Sequence, residues 1–543
     1  MPAWTLPART LAASAATRRS AAVKVRVRPV VPDGCIEEIT VENDQQSGRL
    51  VEAAGRGGAL HEAIALHQPS SIALIEDNRQ VTYAELVDLV RRSAAGLVER
   101  GIRPDALVAV AARTEVDGVV AYLAVHAAGA VAAMLNPRAP APEQDGRLRV
   151  LNPELVVLGG DEVALSDAWT AVRPASSPLV DLPRLDGAGF EVVGGRHQDP
   201  ATILLTSGVA GPPRPAILTH GNLAAVQRGL IAQPGAGLGP GTVALAALPL
   251  AHVLGLNSVV STLLRAGATA VLLDRFDPEQ ALHLMAIHQV TAVAAVPQMW
   301  TTWAKLEGAR SDSMASVRRA TSSAAHLSVD VAEAIRDRFG VRVAAGYGLT
   351  ETAGTIVCDD LKDPSPPSVG WPLGDTMVRL VDSDGTIAET GDRGEVWVRG
   401  ASVFAGFLGA GSGHRSMLAP GGWCRTGDIG VLDEQGALSI VDRLKDVVNV
   451  GGFNVSPTEV EDVLNRHPDV EQAVVLGEAD ARAGERVVAY VVSRPGTTPD
   501  PAVLVEHCRT HLARYKVPVR LEVRAELPMT EGGKLLRRLL RPG

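Results

Sequence analysis

The chemistry-bearing stretch of this chain is Leu204-Leu-Thr-Ser-Gly-Val-Ala-Gly-Pro-Pro-Arg-Pro-Ala-Ile-Leu-Thr-His220. Gly208 and Gly211 allow tight turns that aim backbone amides at an anion. Thr206 and Ser207 add hydroxyl donors, and Arg214 adds a fixed positive charge. The combination reads as a phosphate cradle, although no G-x-x-x-x-G-K-[ST] is present. The elements that must hold it are a strand over 201–205, a second apolar run over 215–218 and a helix starting near Thr219-His220.

This loop resembles the Thr-Ser-Gly-Thr-Thr-Gly-x-Pro-Lys-Gly loop of the adenylate-forming superfamily, the acyl-CoA synthetases and their relatives, where it closes over the β- and γ-phosphates of ATP. Val209 and Ala210 stand where that family carries threonines, Arg214 where it carries lysine and Pro215 where it carries glycine. Two hydroxyls are therefore missing from the cradle.

Further segments resemble the same family in the same order. Pro249-Leu-Ala-His-Val-Leu-Gly255 is similar to Pro-Leu-x-His-x-x-Gly, which implies that His252 positions the substrate acid. Ser322-Ser-Ala-Ala-His-Leu327 is similar to Ser-Gly-Gly-Ala-Pro-Leu at the acyl pocket, with Ser323 and Ala324 in place of two glycines and His326 in place of proline. Tyr347-Gly-Leu-Thr-Glu351 keeps Tyr-Gly-x-Thr-Glu intact. The resemblance puts Tyr347 and Gly348 by adenine, Thr350 on the α-phosphate and Glu351 on Mg²⁺, a hard cation that takes a carboxylate together with substrate phosphates.

Trp423-Cys-Arg-Thr-Gly-Asp428 matches the motif whose aspartate holds the ribose hydroxyls, and a carboxylate can accept from both hydroxyls of a diol. Asp442-Arg-Leu-Lys-Asp446 resembles Gly-Arg-x-Lys-Asp, which gives Arg443 a nucleotide contact and Lys445 the hinge position. Gly451 and Gly452 fall in the hairpin that lines the CoA tunnel in CoA-using members, and Lys534 takes the place of the catalytic lysine. Its ammonium would stabilise negative charge as the carboxylate attacks phosphorus. Without the resemblance, Thr350-Glu351 reads as a surface turn, 442–446 as a solvated connector and Lys534, Arg537 and Arg538 as a basic tail.

A chain of 543 residues, 46% hydrophobic, exceeds one ordinary core and implies a large domain with a smaller one. The net charge of −9 argues against a nonspecific nucleic-acid binder. Cys35, Cys358, Cys424 and Cys508 lie far apart with no zinc or disulfide spacing, which fits a reducing cytoplasm. The two most apolar stretches, 107–135 and 243–273, are interrupted by charged or polar residues and read as buried strands and helices of a core, not as membrane spans.

Alternation of strands (107–112, 130–135, 155–158, 201–205, 290–296) with helices (83–99, 118–129) gives the pattern of covered parallel sheets. The alternation predicts an α/β fold, and the resemblance implies a multidomain protein whose large domain has mixed and parallel sheets covered by helices plus a distorted antiparallel barrel. A small mobile α+β domain should follow. The expected division is a basic N-terminal extension (1–50), the adenylate- and acyl-binding domain (51–444) and the mobile domain with the catalytic lysine (445–543).

The resemblance implies an ATP-dependent carboxylic acid:CoA ligase with ATP/AMP, Mg²⁺ and coenzyme A, acting on a largely apolar acid as a monomer or homodimer. Three alternatives stand beside it: a CoA ligase working mainly on preformed acyl-adenylate, acyl loading onto a carrier protein, and a non-catalytic acyl-AMP-binding protein.

Overall fold

The computed structural model describes residues 25–26, 40–41, 59–139, 141–159, 179–181, 187, 193–206, 214–365, 367–409, 417–444, 446–450, 453–480, 484–529 and 535–540. The chain divides into Met1–Gly55 and Arg56–Gly543. In the first unit Val25–Arg26 pairs antiparallel with Thr40–Val41.

One sheet runs, in order, Gly406–Phe407, Pro215–Thr219, Pro200–Leu205, Val131–Leu135, Leu107–Ala112, Leu155–Gly159 and Leu179–Asp181. Its central strands are parallel, whereas Pro200–Leu205 and Pro215–Thr219 form an antiparallel hairpin whose connection is the phosphate loop. A second, longer sheet has a parallel half built from Ile72–Glu76, Thr269–Leu272, Val243–Ala246, Ala292–Ala295, Arg319–Ser322 and Val343–Leu349. From Val343–Leu349 it continues antiparallel through Gly354–Cys358, Ser368–Pro372, Leu438–Arg443, Trp423–Leu432, Arg393–Arg399 and Met377–Val381.

The third sheet, built on Val470–Asp480 and Gly484–Ser493, has its own core around Val475, Val491 and Leu504. The strand–helix alternation of the sequence is thus the architecture observed. The antiparallel region joins directly onto the parallel one through Val343–Leu349.

Local sequence explains the elements that matter. The helix Tyr83–Glu99 starts where expected because the Thr82 hydroxyl accepts from the Glu85 N–H while the Glu85 carboxylate accepts from the Thr82 N–H. The helix expected over 118–129 instead spans Val116–Ala127. Gly118 lies within its first turn, where an added Cβ would stand 2.2 Å from the Arg113 carbonyl oxygen. Within the apolar stretch 243–273, Leu254–Ser261 forms a π-helix, a widened turn that the sequence does not announce.

Candidate active site

The hairpin that carries the phosphate loop is clamped at its mouth. Thr206 N–H donates to the Arg214 carbonyl at 2.9 Å, and Arg214 N–H donates to Thr206 Oγ1 at 3.0 Å. The Arg214 guanidinium lies 4.1 Å over the Phe407 ring, and Nη2 reaches Met417 Sδ at 3.7 Å. Arg214 therefore braces the neighbouring strand Gly406–Phe407 as a cation on an aromatic face. Ser207, Gly208 and Gly211, with Val209 and Ala210, lie outside the described residues. So do Lys445, Gly451, Gly452 and Lys534.

Tyr347, Asp428 and Arg443 form one buried knot. Tyr347 OH donates to Asp428 Oδ2 at 2.7 Å, and Arg443 Nε lies 2.9 Å from Asp428 Oδ1. Asp428 is 2% exposed. Burial, with the Asp428 charge beside it, holds the Tyr347 hydroxyl well above its usual range, so it remains a donor. The Asp428 charge also raises the Arg443 pKa. Adjacent strands deliver the pair, since Asp428 faces Arg443 across the register of Trp423–Leu432 and Leu438–Arg443. The two oxygens keep lone-pair sites for further donors, as a diol would require.

Gly348 sits at a register shift between Val343–Leu349 and Gly354–Cys358, and a Cβ there would stand 1.9 Å from the Gly354 carbonyl oxygen. Only glycine fits that approach. The chain then enters the short 3₁₀ turn Thr350–Thr352, which carries Glu351 with 8% of its surface exposed. The Glu351 charge is felt at Arg443 and at Cys424. Among the described residues no group of three or more His, Cys, Asp or Glu could hold a metal by itself. One buried carboxylate could hold an ion only if the remaining ligands came from a bound molecule and water.

His252 closes the turn after Val243–Ala246, where Leu254 N–H donates to its Nδ1 at 3.3 Å, and leads into the π-helix. Ser258 of that helix accepts from Thr355 N–H at 3.0 Å. Ser323 is buried, and a Cβ on Gly346 would meet its Oγ at 2.5 Å, so the Ser323 segment and the Tyr347 segment pack directly together. Ala324 adopts φ +77°, in the left-handed region where the family carries glycine, and its Cβ makes that backbone strained.

These elements surround a cavity of about 40 Å³ lined by Leu254, Ser258, Arg319, Thr321, Ser323 and Thr355 among others. The sequence reading singled out Ser323 but missed Arg319, Thr321, Ser258 and Thr355. The available signal was period two along one strand, which puts residues 319, 321 and 323 on one face.

Asp442 and Arg443 are more tightly held than a solvated connector would be, whereas Leu444 is exposed. Asp442 is 9% exposed, its Oδ1 accepts the Arg443 N–H at 2.7 Å, and burial raises its pKa. Arg537 is no free tail either: its Nη2 lies 2.9 Å from Glu461 Oε1, and its Nη1 donates to the Val475 carbonyl at 2.7 Å.

Comparison with known proteins places this geometry. Residues 61–408 match the model of the AMP-binding enzymes, and residues 459–534 match the AMP-binding enzyme C-terminal domain. The chain belongs to the AMP-binding enzyme family. It is an AMP-forming acyl-CoA synthetase with the adenylate-forming fold.

This synthetase is 34% identical over 471 residues to a feruloyl-CoA synthase from an Amycolatopsis species, an alignment covering 86% of this chain and 95% of the relative. It superposes on ATP-bound MatB from Rhodopseudomonas palustris with a TM-score of 0.83 at 29% identity, covering 89% of this chain and 98% of that one. The o-succinylbenzoate coenzyme A synthetase MenE from Bacillus subtilis, solved with ATP and magnesium ion, gives a TM-score of 0.79 at 29% identity, with 89% and 98% covered. No helix among the described residues is long and apolar enough to cross a membrane.

Proposed function

We propose that the synthetase converts a small-molecule carboxylic acid, MgATP and CoA to acyl-CoA, AMP and diphosphate through an acyl-adenylate, with the site residues acting as follows. The observation that supports this reading is the buried Asp428 carboxylate, which accepts from Tyr347 OH on one oxygen and pairs with Arg443 on the other, each oxygen keeping a lone pair that a ribose hydroxyl could use. Asp428 and Arg443 hold the ribose, Tyr347 and Gly348 flank adenine, and Thr350 meets the α-phosphate. Thr206, Ser207, Gly208, Gly211 and Arg214 close over the outer phosphates, with Arg214 setting the hairpin's shape. Glu351 is the residue that would hold Mg²⁺, which when bound neutralises phosphate charge.

His252 orients the acid against the wall made by Ser323 and Ala324. Lys534 stabilises the charge that builds up as the carboxylate oxygen attacks phosphorus and diphosphate departs. Residues 445–543 then swing about Lys445, and the Gly451-Gly452 hairpin admits the CoA thiol. The thiol adds to the acyl carbonyl and AMP leaves, so the inert acid is activated and consumed while sheltered from water. The body that remains is residues 51–444. A cytoplasmic setting fits the buried free thiols Cys358, Cys424 and Cys508.

One observation favours a second reading. Because the Arg214 guanidinium is engaged with Phe407 and the hydroxyls usual at 209 and 210 are absent, adenylation would be slow and preformed acyl-adenylate the better substrate. ATP–diphosphate exchange against thioester formation from synthetic acyl-adenylate separates the two. Brisk exchange supports the complete ligase, and transfer without exchange supports the second reading. Nucleotide binding with neither activity would leave the acyl-AMP-binding protein. A Gly452→Trp variant should lose transfer to CoA, and unaltered transfer would remove the tunnel assignment. Transfer only to a phosphopantetheinyl carrier protein would replace CoA as acceptor. Sedimentation of the active protein distinguishes monomer from homodimer.

A further inference from the structure

The acyl cavity ends on a buried cation. Arg319 lies on the strand Arg319–Ser322, is 9% exposed, and lines the cavity together with Thr321 and Ser323 from the same strand face. Its Nη1 has no hydrogen-bond partner, and no acidic side chain pairs with it among the described residues. A buried guanidinium ordinarily sits against a carboxylate or a set of carbonyls, because an uncompensated charge in the interior is costly. The polar neighbours here are neutral. Thr321, Thr355, Ser258 and Thr262 are hydroxyls, and burial pushes the Cys358 thiol up, so it stays protonated at neutral pH. The remaining lining is aliphatic: Leu230, Leu245, Leu254, Leu263, Val259 and Val293.

The position of the charge matters as much as its lack of a partner. Ser323 Oγ packs against Gly346, next to Tyr347, so one end of the cavity wall abuts the adenylate site. Arg319 stands four residues back, at the start of the strand Arg319–Ser322. At about 40 Å³ the cavity holds about three water-sized groups, the bulk of a methylene and a carboxylate. An acid that presents one carboxylate to ATP would therefore set its far end against the guanidinium.

We propose that the missing counter-ion of Arg319 is supplied by the substrate: a short carboxylic acid bearing a second anionic group, carboxylate or sulfonate, at its distal end. Arg319 is then a specificity-determining residue. The hydroxyls of Thr321 and Ser323 complete the polar end, and the leucine and valine walls fit the intervening methylenes. A neutral tail of equal length leaves the guanidinium buried and unpaired in the bound state, which penalises it relative to the anionic one. Arginine rather than lysine suits this task because its planar fork binds a carboxylate through two donors.

The inference rests on the ligase reading, and the experiment separates the two. The full-length protein is supplied with MgATP, CoA and acids matched in length: succinate with butanoate, glutarate with pentanoate, and 3-sulfopropanoate with butanoate. A panel of aryl and longer fatty acids accompanies them. The anionic member of each pair should be favoured in kcat/KM by at least ~30-fold, the discrimination expected when a charge-assisted contact is made or lost. Arg319→Met should reverse the order, with the dicarboxylates falling and butanoate and pentanoate rising.

If only the sulfonate is favoured, the distal group is identified as sulfonate within the same class. Wild-type turnover of neutral acids with no preference for their anionic partners overturns the inference and leaves the ligase intact. AMP release from no acid at all overturns the ligase reading and the inference with it. The wild-type comparison decides the matter even where Arg319→Met does not fold.

Discussion

Lowering the pH from 7 to 5 should weaken this fold through three buried histidines beneath the phosphate hairpin. His126 Nε2 lies 2.9 Å from the Ala201 carbonyl oxygen on the strand Pro200–Leu205, and its ring meets that of His220 edge-on at 5.0 Å. His61 meets His220 at 6.4 Å, and its Nε2 lies 3.1 Å from the Val193 carbonyl oxygen. The three residues are at most 5% exposed. Desolvation, with the neighbouring imidazole as a further cause, lowers His61 from 6.5 to about 4. Desolvation likewise brings His220 to about 4 and holds His126 well below the ordinary value.

In the unfolded chain these rings take up a proton as pH falls through 6.5, whereas in the folded chain they resist until about 4. Between those values the unfolded state binds more protons, so stability present above pH 6.5 is lost on acidification. For each ring at about 4, the loss between pH 7 and 5 is roughly 2 kcal/mol. His61 and His220 together then cost roughly 4 kcal/mol, a large share of a typical domain's stability.

Buried carboxylates such as Glu461, with pKa values raised by desolvation, change stability in the opposite direction. The assay is therefore a difference. Urea unfolding of wild type and His61→Gln is followed at both pH values by fluorescence of the buried Trp300 and Trp303. The glutamine keeps an N–H donor for Val193 but cannot titrate. The pH-dependent loss should shrink by about 2 kcal/mol in the variant. Identical pH dependence in both proteins would refute the reasoning.

Lys534→Ala should abolish AMP release from acid and MgATP while sparing thioester formation from supplied acyl-adenylate; unchanged AMP release would remove its role. Asp428→Asn takes the charge from the knot with Tyr347 and Arg443, and should raise KM for ATP by ~10-fold or more, as for a lost charge-assisted hydrogen bond, with denaturant unfolding measured alongside. An unaltered KM would place the ribose elsewhere. Ala324→Gly should relieve the left-handed strain at φ +77° and stabilise the chain by about 0.5–1 kcal/mol, read as a shift in the urea midpoint.

What the sequence disclosed followed the range of the physics involved. The helix at Tyr83–Glu99 is set by neighbours in the chain, through a capping box. Asp428, Tyr347 and Arg443 are far apart in sequence, and only the resemblance grouped them before their hydrogen bonds did. The stretch over 243–273, though interrupted by a few polar residues, carries apolar side chains on all sides, so its periodicity cannot register the wider turn that makes Leu254–Ser261 a π-helix.

Arg319 was hidden for a related reason. In Val317-Arg-Arg-Ala it looks like its neighbour Arg318, but Arg319 opens a strand buried on both faces whereas Arg318 precedes that strand and is exposed. Likewise the arginine at 214 suggests a phosphate ligand by its charge, whereas its stacking on Phe407 depends on a strand nearly two hundred residues away.

The most direct test of the central claim is mass spectrometry of the full-length protein with a carboxylic-acid library, MgATP and CoA, run beside synthetic acyl-adenylates with CoA and no ATP. The account predicts acyl-CoA and AMP from free acids in the first reaction. Acyl-CoA from the adenylates alone would contradict the ATP half-reaction, and acyl-CoA from neither would contradict the ligase.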